Sequence, residues 1–323
     1  MAITGDQFTA YMNEAYIPSV FRSFFQNTWW LGPQDEMGQF PLSPFTVVQP
    51  GQCPGGPNVN GLIDYASTSN AEAYVRGAAD PTPETLSSVR WYFEKDYFIG
   101  MGKVTGDVLS QMSDGFDPTV VAASPIGKAV DNSVRQVFAK SNAAILTSLA
   151  TQVDATNAFG DGSISRATYG IASQETGVAG VLTTAVMQDL VEGAVNTTHG
   201  PVDAGDLVWL MPQNQITNLS LLTTVTTSSP LFADASAVTP IDGGTRFRTV
   251  AYEGVPIIAV PSMTNTEIYL MRRSTTKLYL HKALGTDAIV ANDEWAEKFR
   301  STLGVNLVVE DMQVCGKLTG VTA

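Results

Sequence analysis

The first candidate for chemistry in this sequence is a glycine-rich run from Gly100 to Gly106. Glycine-rich loops bind phosphates because their backbone amides approach the anion closely, and a following lysine adds positive charge. Tyr97 stands where such a loop needs a glycine, and Val104 follows Lys103 where it needs serine or threonine. Thr105 occupies the place of the third glycine of a dinucleotide-binding loop. We interpret the run as a glycine-rich turn and not as a nucleotide site.

Other side chains that could do chemistry are few and scattered. His199 and His281 are the only histidines, and neither has partners at the spacing of metal ligands or of a catalytic dyad. The acidic pairs Asp293-Glu294 and Glu310-Asp311 could act as acid and base, but such pairs are usually exposed strand ends. The sequence lacks the G-x-S-x-G and H-E-x-x-H motifs. We therefore predict no catalytic residue, no cofactor and no metal, and a protein that is not an enzyme.

Composition and charge exclude further classes. Eighteen basic and 31 acidic residues give a net charge of -13, which disfavours non-specific binding to DNA or anionic lipid. The 323 residues, 44% of them apolar, suffice for about two domains with a real core. Cys53 and Cys315 form no metal-binding or disulfide pattern, so reduced thiols are expected. Without a signal-like start or a run of 18 apolar residues, we expect a soluble, cytosolic product with no membrane partner.

The first 60 residues form an arm in this interpretation. Apolar residues recur at helical spacing from Phe8 to Phe25, and two tryptophans, Trp29 and Trp30, follow. The segment from Leu31 to Asn60 is then rich in proline and glycine and cannot make its own core. Its aromatic side chains must pack either on the same domain or on a neighbouring chain, and the sequence leaves both open.

Two half-buried strands are predicted next. Residues 71–76 and 88–94 alternate apolar and polar side chains, and 77–83 supplies turn formers between them. An isolated hairpin is marginally stable in water, so this one must lie against another surface.

The rest of the chain alternates helices and strands. Pro125 to Gln152 has the apolar spacing of one helix about 40 Å long, although a core helix of any α/β protein would show the same periodicity. Further helices are predicted at 178–194 and 213–223, and a buried strand at 207–211. A polar loop at 223–247 precedes strand-like segments, which are predicted at 255–260, 268–281, 305–309 and 317–321, with a short strand or bend at 295–303.

This order of elements resembles the major capsid proteins of tailed bacteriophages, which have the HK97-type fold. The resemblance is most specific where a strand ends at Pro212, a helix carries Leu221-Leu222, and a Gly-x-Pro step, Gly254 to Pro256, opens the next strand. It implies an α+β fold with an N-terminal arm, an E-loop hairpin, a P-domain with a long spine helix, and an A-domain. The implied boundaries are 1–60 for the arm, 61–103 for the E-loop, 104–195 with 285–323 for the P-domain (spine helix about 125–152), and 196–284 for the A-domain.

The resemblance also implies a function. The chain would assemble with itself as hexamers and pentamers into the icosahedral head of a tailed dsDNA phage, located in the virion and assembled in the host cytoplasm. It would enclose DNA without sequence-specific binding, and its other partners would be a separate scaffolding protein, a portal and decoration proteins. In the family the E-loop lies across the adjacent subunit. The candidate intersubunit contacts are Phe21, Phe24, Trp29, Trp30, Tyr74, Arg76, Arg90 and Trp91.

One departure from the family concerns covalent cross-linking. Some relatives join an E-loop lysine to an asparagine near the C-terminal strands. Here Lys95 and Lys103 lie at the hairpin base, and neither Asn292 nor Asn306 matches the family motif. We therefore expect noncovalent cohesion. Three alternatives stay open: an encapsulin-like compartment that packages proteins, a cytoplasmic enzyme with a concealed site, and a phage tail or adhesin protein.

Overall fold

The computed structural model contains three α-helices, two short 3-10 helices and twelve strands within the residues it describes. Those residues are 28–32, 39–40, 43–65, 87–105, 125–153, 174–195, 203–225, 250–252, 255–290, 296–310 and 315–322. The helices are α1 (Pro125–Gln152), α2 (Thr184–Val195) and α3 (Gln213–Val225). The strands are β1 (Thr46–Val48), β2 (Asn58–Tyr65), β3 (Ser87–Glu94), β4 (Tyr97–Thr105), β5 (Gln174–Val181), β6 (Leu207–Met211), β7 (Val250–Tyr252), β8 (Val255–Ala259), β9 (Ile268–Arg272), β10 (Thr276–Val290), β11 (Ala296–Val309) and β12 (Gly316–Thr322).

The long helix α1 confirms the strongest prediction from the sequence. It spans Pro125–Gln152, which is 28 residues or about 42 Å at 1.5 Å per residue. Val130, Val134, Val137 and Leu149 recur at helical spacing and are almost fully buried. Within the described part of the chain, no helix combines the length and the apolar character needed to cross a membrane.

Helix α1 packs on a four-stranded sheet with the order β1-β10-β11-β4. The glycines of β4 make this packing close: a Cβ at Gly100 would lie 1.8 Å from the carbonyl oxygen of Ser133, and one at Gly102 would lie 2.0 Å from that of Ala129. The interpretation of this glycine run as a turn is therefore wrong. It is a regular strand that pairs with β11, and its glycines admit the helix backbone.

A six-stranded mixed sheet with the order β5-β12-β9-β6-β8-β7 forms the second layer. Its central strand β6 is buried throughout, as predicted, and α3 follows it from Gln213. The helix predicted at 178–194 is only partly correct, because 174–181 is strand β5 and α2 begins at Thr184. Val178 lies in β5 and Leu182 directly after it, and both are buried. Their separation of four residues is the same as that of two residues on one face of a helix, which explains the wrong assignment.

The C-terminal strands are longer than predicted. β10 runs to Val290, and β11 is one strand of 14 residues where the sequence indicated a short strand or bend at 295–303 followed by a separate strand at 305–309. Most of the polar loop at 223–247 lies outside the described residues.

The hairpin pairs β2 with β3, in a register that joins Asn58 to Glu94 and Tyr65 to Ser87. Residues 58–60, assigned to the arm from the sequence, therefore belong to the hairpin. The predicted strand 71–76 and turn 77–83 lie outside the described residues.

Candidate intersubunit surface

Among the residues whose exposure is described, the largest group of exposed apolar side chains lies on one face of β4. Tyr97, Ile99 and Met101 are 56%, 45% and 44% exposed, and we call these three residues the β4 stripe. They alternate with Gly100 and Gly102, which face α1. Side chains alternate across a strand, so the packing of one face on the helix directs the three large apolar side chains to the surface. Contiguous exposed apolar residues of this kind often mark a protein contact.

The stripe is bordered by cationic side chains. Met101 lies opposite Arg300 and Lys103 lies opposite Lys298 in the register of β4 with β11. Arg300 is 3.4 Å from Asp287 on β10, a surface ion pair of small energetic value. Positive side chains thus lie at the Met101 end of the apolar strip, in a chain of net charge -13. This surface suits a partner that offers apolar and acidic groups together.

The base of the hairpin lies beside the stripe and is fixed by Asn306 of β11. The Asn306 side-chain amide donates to the Glu94 carbonyl at 2.9 Å and to the Asp96 carboxylate at 3.2 Å. Its oxygen accepts from the Asp96 amide at 3.1 Å. Three hydrogen bonds from one side chain therefore hold the two-residue connection between β3 and β4.

Lys95, in the same connection, binds the segment that precedes β2. Its Nζ donates to the Pro54 carbonyl at 2.8 Å, and its backbone amide donates to the Pro57 carbonyl at 3.0 Å. The hairpin base is thus bound both to β11 and to the segment before β2. Asn306 and Lys95 have structural partners within their own subunit, while Asn292 lies outside the described residues.

Trp29 and Trp30 do not lie on a free surface. They are 3% and 0% exposed and belong to the core around α1. The Trp29 indole donates to the Asn142 side-chain oxygen of α1, and its ring meets Phe45 edge-on at a centroid distance of 6.0 Å. Of the two placements the sequence left open for the arm, the one on its own domain is correct for these residues, because the core buries their large apolar area.

The other predicted contacts are less fully described. Arg90 and Trp91 lie in β3, opposite Leu62 and Gly61 of β2, where the backbone pairing is defined. Four further candidates lie outside the described residues: Phe21, Phe24, Tyr74 and Arg76.

Sequence reasoning missed the β4 stripe. Its signal was the alternation of Tyr97, Ile99 and Met101 with Phe98, Gly100 and Gly102. That pattern is a half-buried strand whose inward side is glycine at two consecutive inward positions, and these glycines also resemble those of a phosphate loop.

No catalytic arrangement is visible in the part of the chain that the structure describes. No group of three or more His, Cys, Asp or Glu side chains there could hold a metal ion. Cys53 and Cys315 are free thiols, and burial raises the pKa of Cys53. His281 is half-buried beside Tyr97, and burial lowers its pKa.

Comparison by sequence finds no match among protein-family models or curated proteins. Comparison by structure finds phage capsids. The cyanophage A-1(L) capsid asymmetric unit matches with a TM-score of 0.57 at 16% identity, covering 83% of this chain and 89% of that one. This chain has the HK97-type capsid fold.

Two further capsid structures support this assignment of the HK97-type fold. The capsid of a native GTA particle matches with a TM-score of 0.52 at 15% identity, over 86% of this chain and 88% of that one. The capsid of cyanophage P-SCSP1u matches with a TM-score of 0.51 at 11% identity, over 87% of each. The expected α+β architecture is therefore confirmed across most of the chain.

Proposed function

We propose that this chain is a major capsid protein, a structural protein that assembles as hexamers and pentamers into the icosahedral head of a tailed dsDNA phage. The observation that carries the proposal is the HK97-type fold combined with the uncovered β4 stripe. A subunit that functions alone has no need of a strand face with three large apolar side chains in water. A shell subunit covers such a face when it meets its neighbour.

The occupant we assign to the β4 stripe is the β2–β3 hairpin of an adjacent copy. A two-stranded ribbon is marginally stable by itself, so the hairpin needs a surface to lie on. In sequence, β3 alternates Val89, Trp91 and Phe93 with polar residues, which gives it one apolar face. The overall negative charge of the chain suits the cations beside the stripe.

The domain boundaries inferred from the sequence belong to the same proposal. Because β2 begins at Asn58 and β4 lies in the sheet under α1, we move two of them and assign 1–57 to the arm, 58–96 to the E-loop, 97–195 and 285–323 to the P-domain, and 196–284 to the A-domain. Helix α1 is then the spine helix. The partners are other copies of the chain, a separate scaffolding protein, a portal and decoration proteins, and the location is the virion after assembly in the host cytoplasm.

The test is assembly of the expressed full chain, followed by electron microscopy and light scattering. Closed shells or capsomer rings are expected from the parent chain, and Ile99→Asp should abolish them by placing a desolvated charge at the contact. Asn132→Asp adds the same charge at an exposed position of α1 and should leave assembly intact. Both variants should melt like the parent, because surface substitutions change stability by about 0.5 kcal/mol or less.

The contents of the particles distinguish the proposed capsid from its rivals. Particles recovered from phage-producing cells should hold DNA, and a defined protein cargo would instead indicate an encapsulin-like compartment. Catalytic turnover by a small discrete oligomer, with Ile99→Asp unchanged in size and activity, would refute the capsid function.

A further inference from the structure

The connection between the hairpin and the body is built around a half-buried histidine, His281. His281 lies on β10 where the register with β11 is irregular, between the paired positions Tyr279 and Lys282. Across from it stands Gly304, where a Cβ would lie 2.5 Å from the His281 Nε2. The His281 ring can occupy this position only because residue 304 is glycine, since any larger residue would collide with the ring.

The same ring supports the first residue of β4. Tyr97 meets His281 edge-on, with ring centroids 4.9 Å apart and planes at 82°. Tyr97 follows Asp96 directly, and the Asp96 amide is held by Asn306 at 3.1 Å. One contiguous set of contacts thus fixes the His281 ring, the start of β4 and the end of the hairpin.

The environment of His281 disfavours the protonated, charged form of its ring. Both ring nitrogens are inaccessible to solvent and, among the described residues, neither makes a well-formed hydrogen bond; the carbonyls of Asp96 and Tyr279 lie near the ring without reaching that geometry. Burial lowers the pKa of His281, and the Lys95 ammonium lowers it further. The carbonyls of Asp96 and Tyr279 favour the proton, but the combined effect is a pKa below 6.5.

The charged and titratable groups around the ring come from three elements. Lys95 and Asp96 lie on the connection, Tyr97 on β4, and Tyr279 and Lys282 on β10. The Asp96 carboxylate is engaged by the Asn306 amide at 3.2 Å, and β11 presents Gly304 and Asn306, which carry no charge.

We propose that His281 is the sensor of an acid-sensitive hinge: protonation of its ring displaces Tyr97, releases Asp96 from Asn306 and lets the β2–β3 hairpin change direction. The event is a proton transfer from solvent to a ring nitrogen, with no other bond made or broken. In the capsid this would couple hairpin placement on a neighbour to pH, a role that rests on the proposed function. The hinge itself is a property of the single subunit.

The direction of the effect follows from linkage. A neutral histidine whose folded pKa is depressed stabilises the closed hinge fully above about pH 6.5, its value in the open state. As pH falls from 6.5 towards the lowered pKa, the open state binds more protons than the closed one. The opening constant should then rise by up to about tenfold per pH unit, and level off below the lowered pKa.

Hydrogen exchange of the full chain, measured by mass spectrometry, tests the hinge directly. The readout is the protection of a peptide containing Asp96 and Tyr97, corrected for intrinsic exchange and compared with a peptide from Ile268–Arg272 of β9. Light scattering establishes that the oligomeric state is the same at each pH. We expect acid to deprotect the first peptide selectively, with the steep part of the response below pH 6.5.

Three variants make the result decisive. His281→Phe keeps a ring against Tyr97 and His281→Gln is smaller, and neither titrates, so both should lose the pH response. His199→Gln should keep it, and because His281 is then the only histidine, a single imidazole resonance reports its pKa.

The proposal is overturned if the acid response persists in both His281 variants, or if that resonance titrates at or above pH 6.5. Failure of the hinge would leave shell assembly by the parent chain unaffected, whereas failure of the capsid function would leave the exchange response intact.

Discussion

Gln136 of α1 holds both backbone groups of Met101 on β4. Its side-chain nitrogen donates to the Met101 carbonyl at 3.1 Å, and its side-chain oxygen accepts from the Met101 amide at 3.2 Å. β4 is an edge strand, and an open strand edge presents amides and carbonyls that can pair with another chain. The helix therefore closes the strand edge at the Met101 end of the stripe, so that contact with a neighbour there is directed to the apolar face.

Gln136→Ala should reopen this edge. Loss of the two hydrogen bonds is expected to lower the free energy of unfolding by about 1 kcal/mol, because each makes a small net contribution at an exposed site. Irregular association should increase, seen as light scattering or thioflavin fluorescence at concentrations where the parent is clear. Asn132→Ala, also exposed on α1, is the control. Equal scattering by both variants would show that Gln136 does not guard the edge.

The two helix-facing glycines of β4 should tolerate no side chain. Gly100→Ala or Gly102→Ala places a methyl group within about 2 Å of a backbone carbonyl of α1, so the helix must shift away from the sheet. We expect a loss of about 3 kcal/mol or more in denaturant unfolding. Gly285→Ala on β10, where a Cβ has no atom within 4 Å, should change stability by less than about 1 kcal/mol. Mild effects at both β4 positions would contradict the close packing.

Periodic elements were predictable because one physical signal dominates them. Helix α1 begins at Pro125 and ends at Gln152 as predicted, since its apolar residues return to one face over seven turns. The buried strand β6 likewise follows from a short apolar run that ends at Pro212. The local sequence alone is therefore enough to predict both elements.

The candidate surface was not predictable by the same means. Gly100 and Gly102 imitate a nucleotide-binding loop in sequence, and only the carbonyls of Ser133 and Ala129, some 30 residues away, explain them. Trp30 similarly offers a large apolar side chain whose partner could be this chain or another. The role of these residues depends on contacts with residues distant in the sequence, and such contacts cannot be inferred from the spacing of residue types.

Trp30→Ala should unfold the subunit rather than merely uncouple it from its neighbours. The Trp30 side chain is fully buried, and removing a buried tryptophan costs about 3–5 kcal/mol. Ile99→Ala, at a side chain 45% exposed, should cost about 0.5 kcal/mol or less in the isolated subunit. Chemical denaturation of unassembled protein separates the two. If the Trp30→Ala subunit were as stable as the parent but unable to assemble, Trp30 would be an intersubunit contact, as the sequence predicted.

The last prediction concerns Asp206, which joins the start of β6 to the turn after β9. Its carboxylate accepts from the Arg272 Nε at 2.9 Å, the Ser274 amide at 3.1 Å and the Ser274 hydroxyl. Burial alone would raise the pKa of Asp206, but the hydrogen bonds from Ser274 and Arg272 outweigh it and hold the pKa below 3.8. The stabilisation is therefore complete above about pH 3.8 and is lost as pH falls through the lowered value.

Asp206→Asn should accordingly lower the free energy of unfolding by about 1–2 kcal/mol at neutral pH, since it replaces charge-assisted hydrogen bonds by weaker ones. Urea unfolding at a series of pH values should show this difference shrinking below pH 3.8, where the parent carboxyl itself takes up a proton. Asp287→Asn breaks the exposed pair with Arg300 and should change stability little at any pH. A difference between parent and Asp206→Asn that is constant down to pH 2 would show that the charge of Asp206 does not hold the turn.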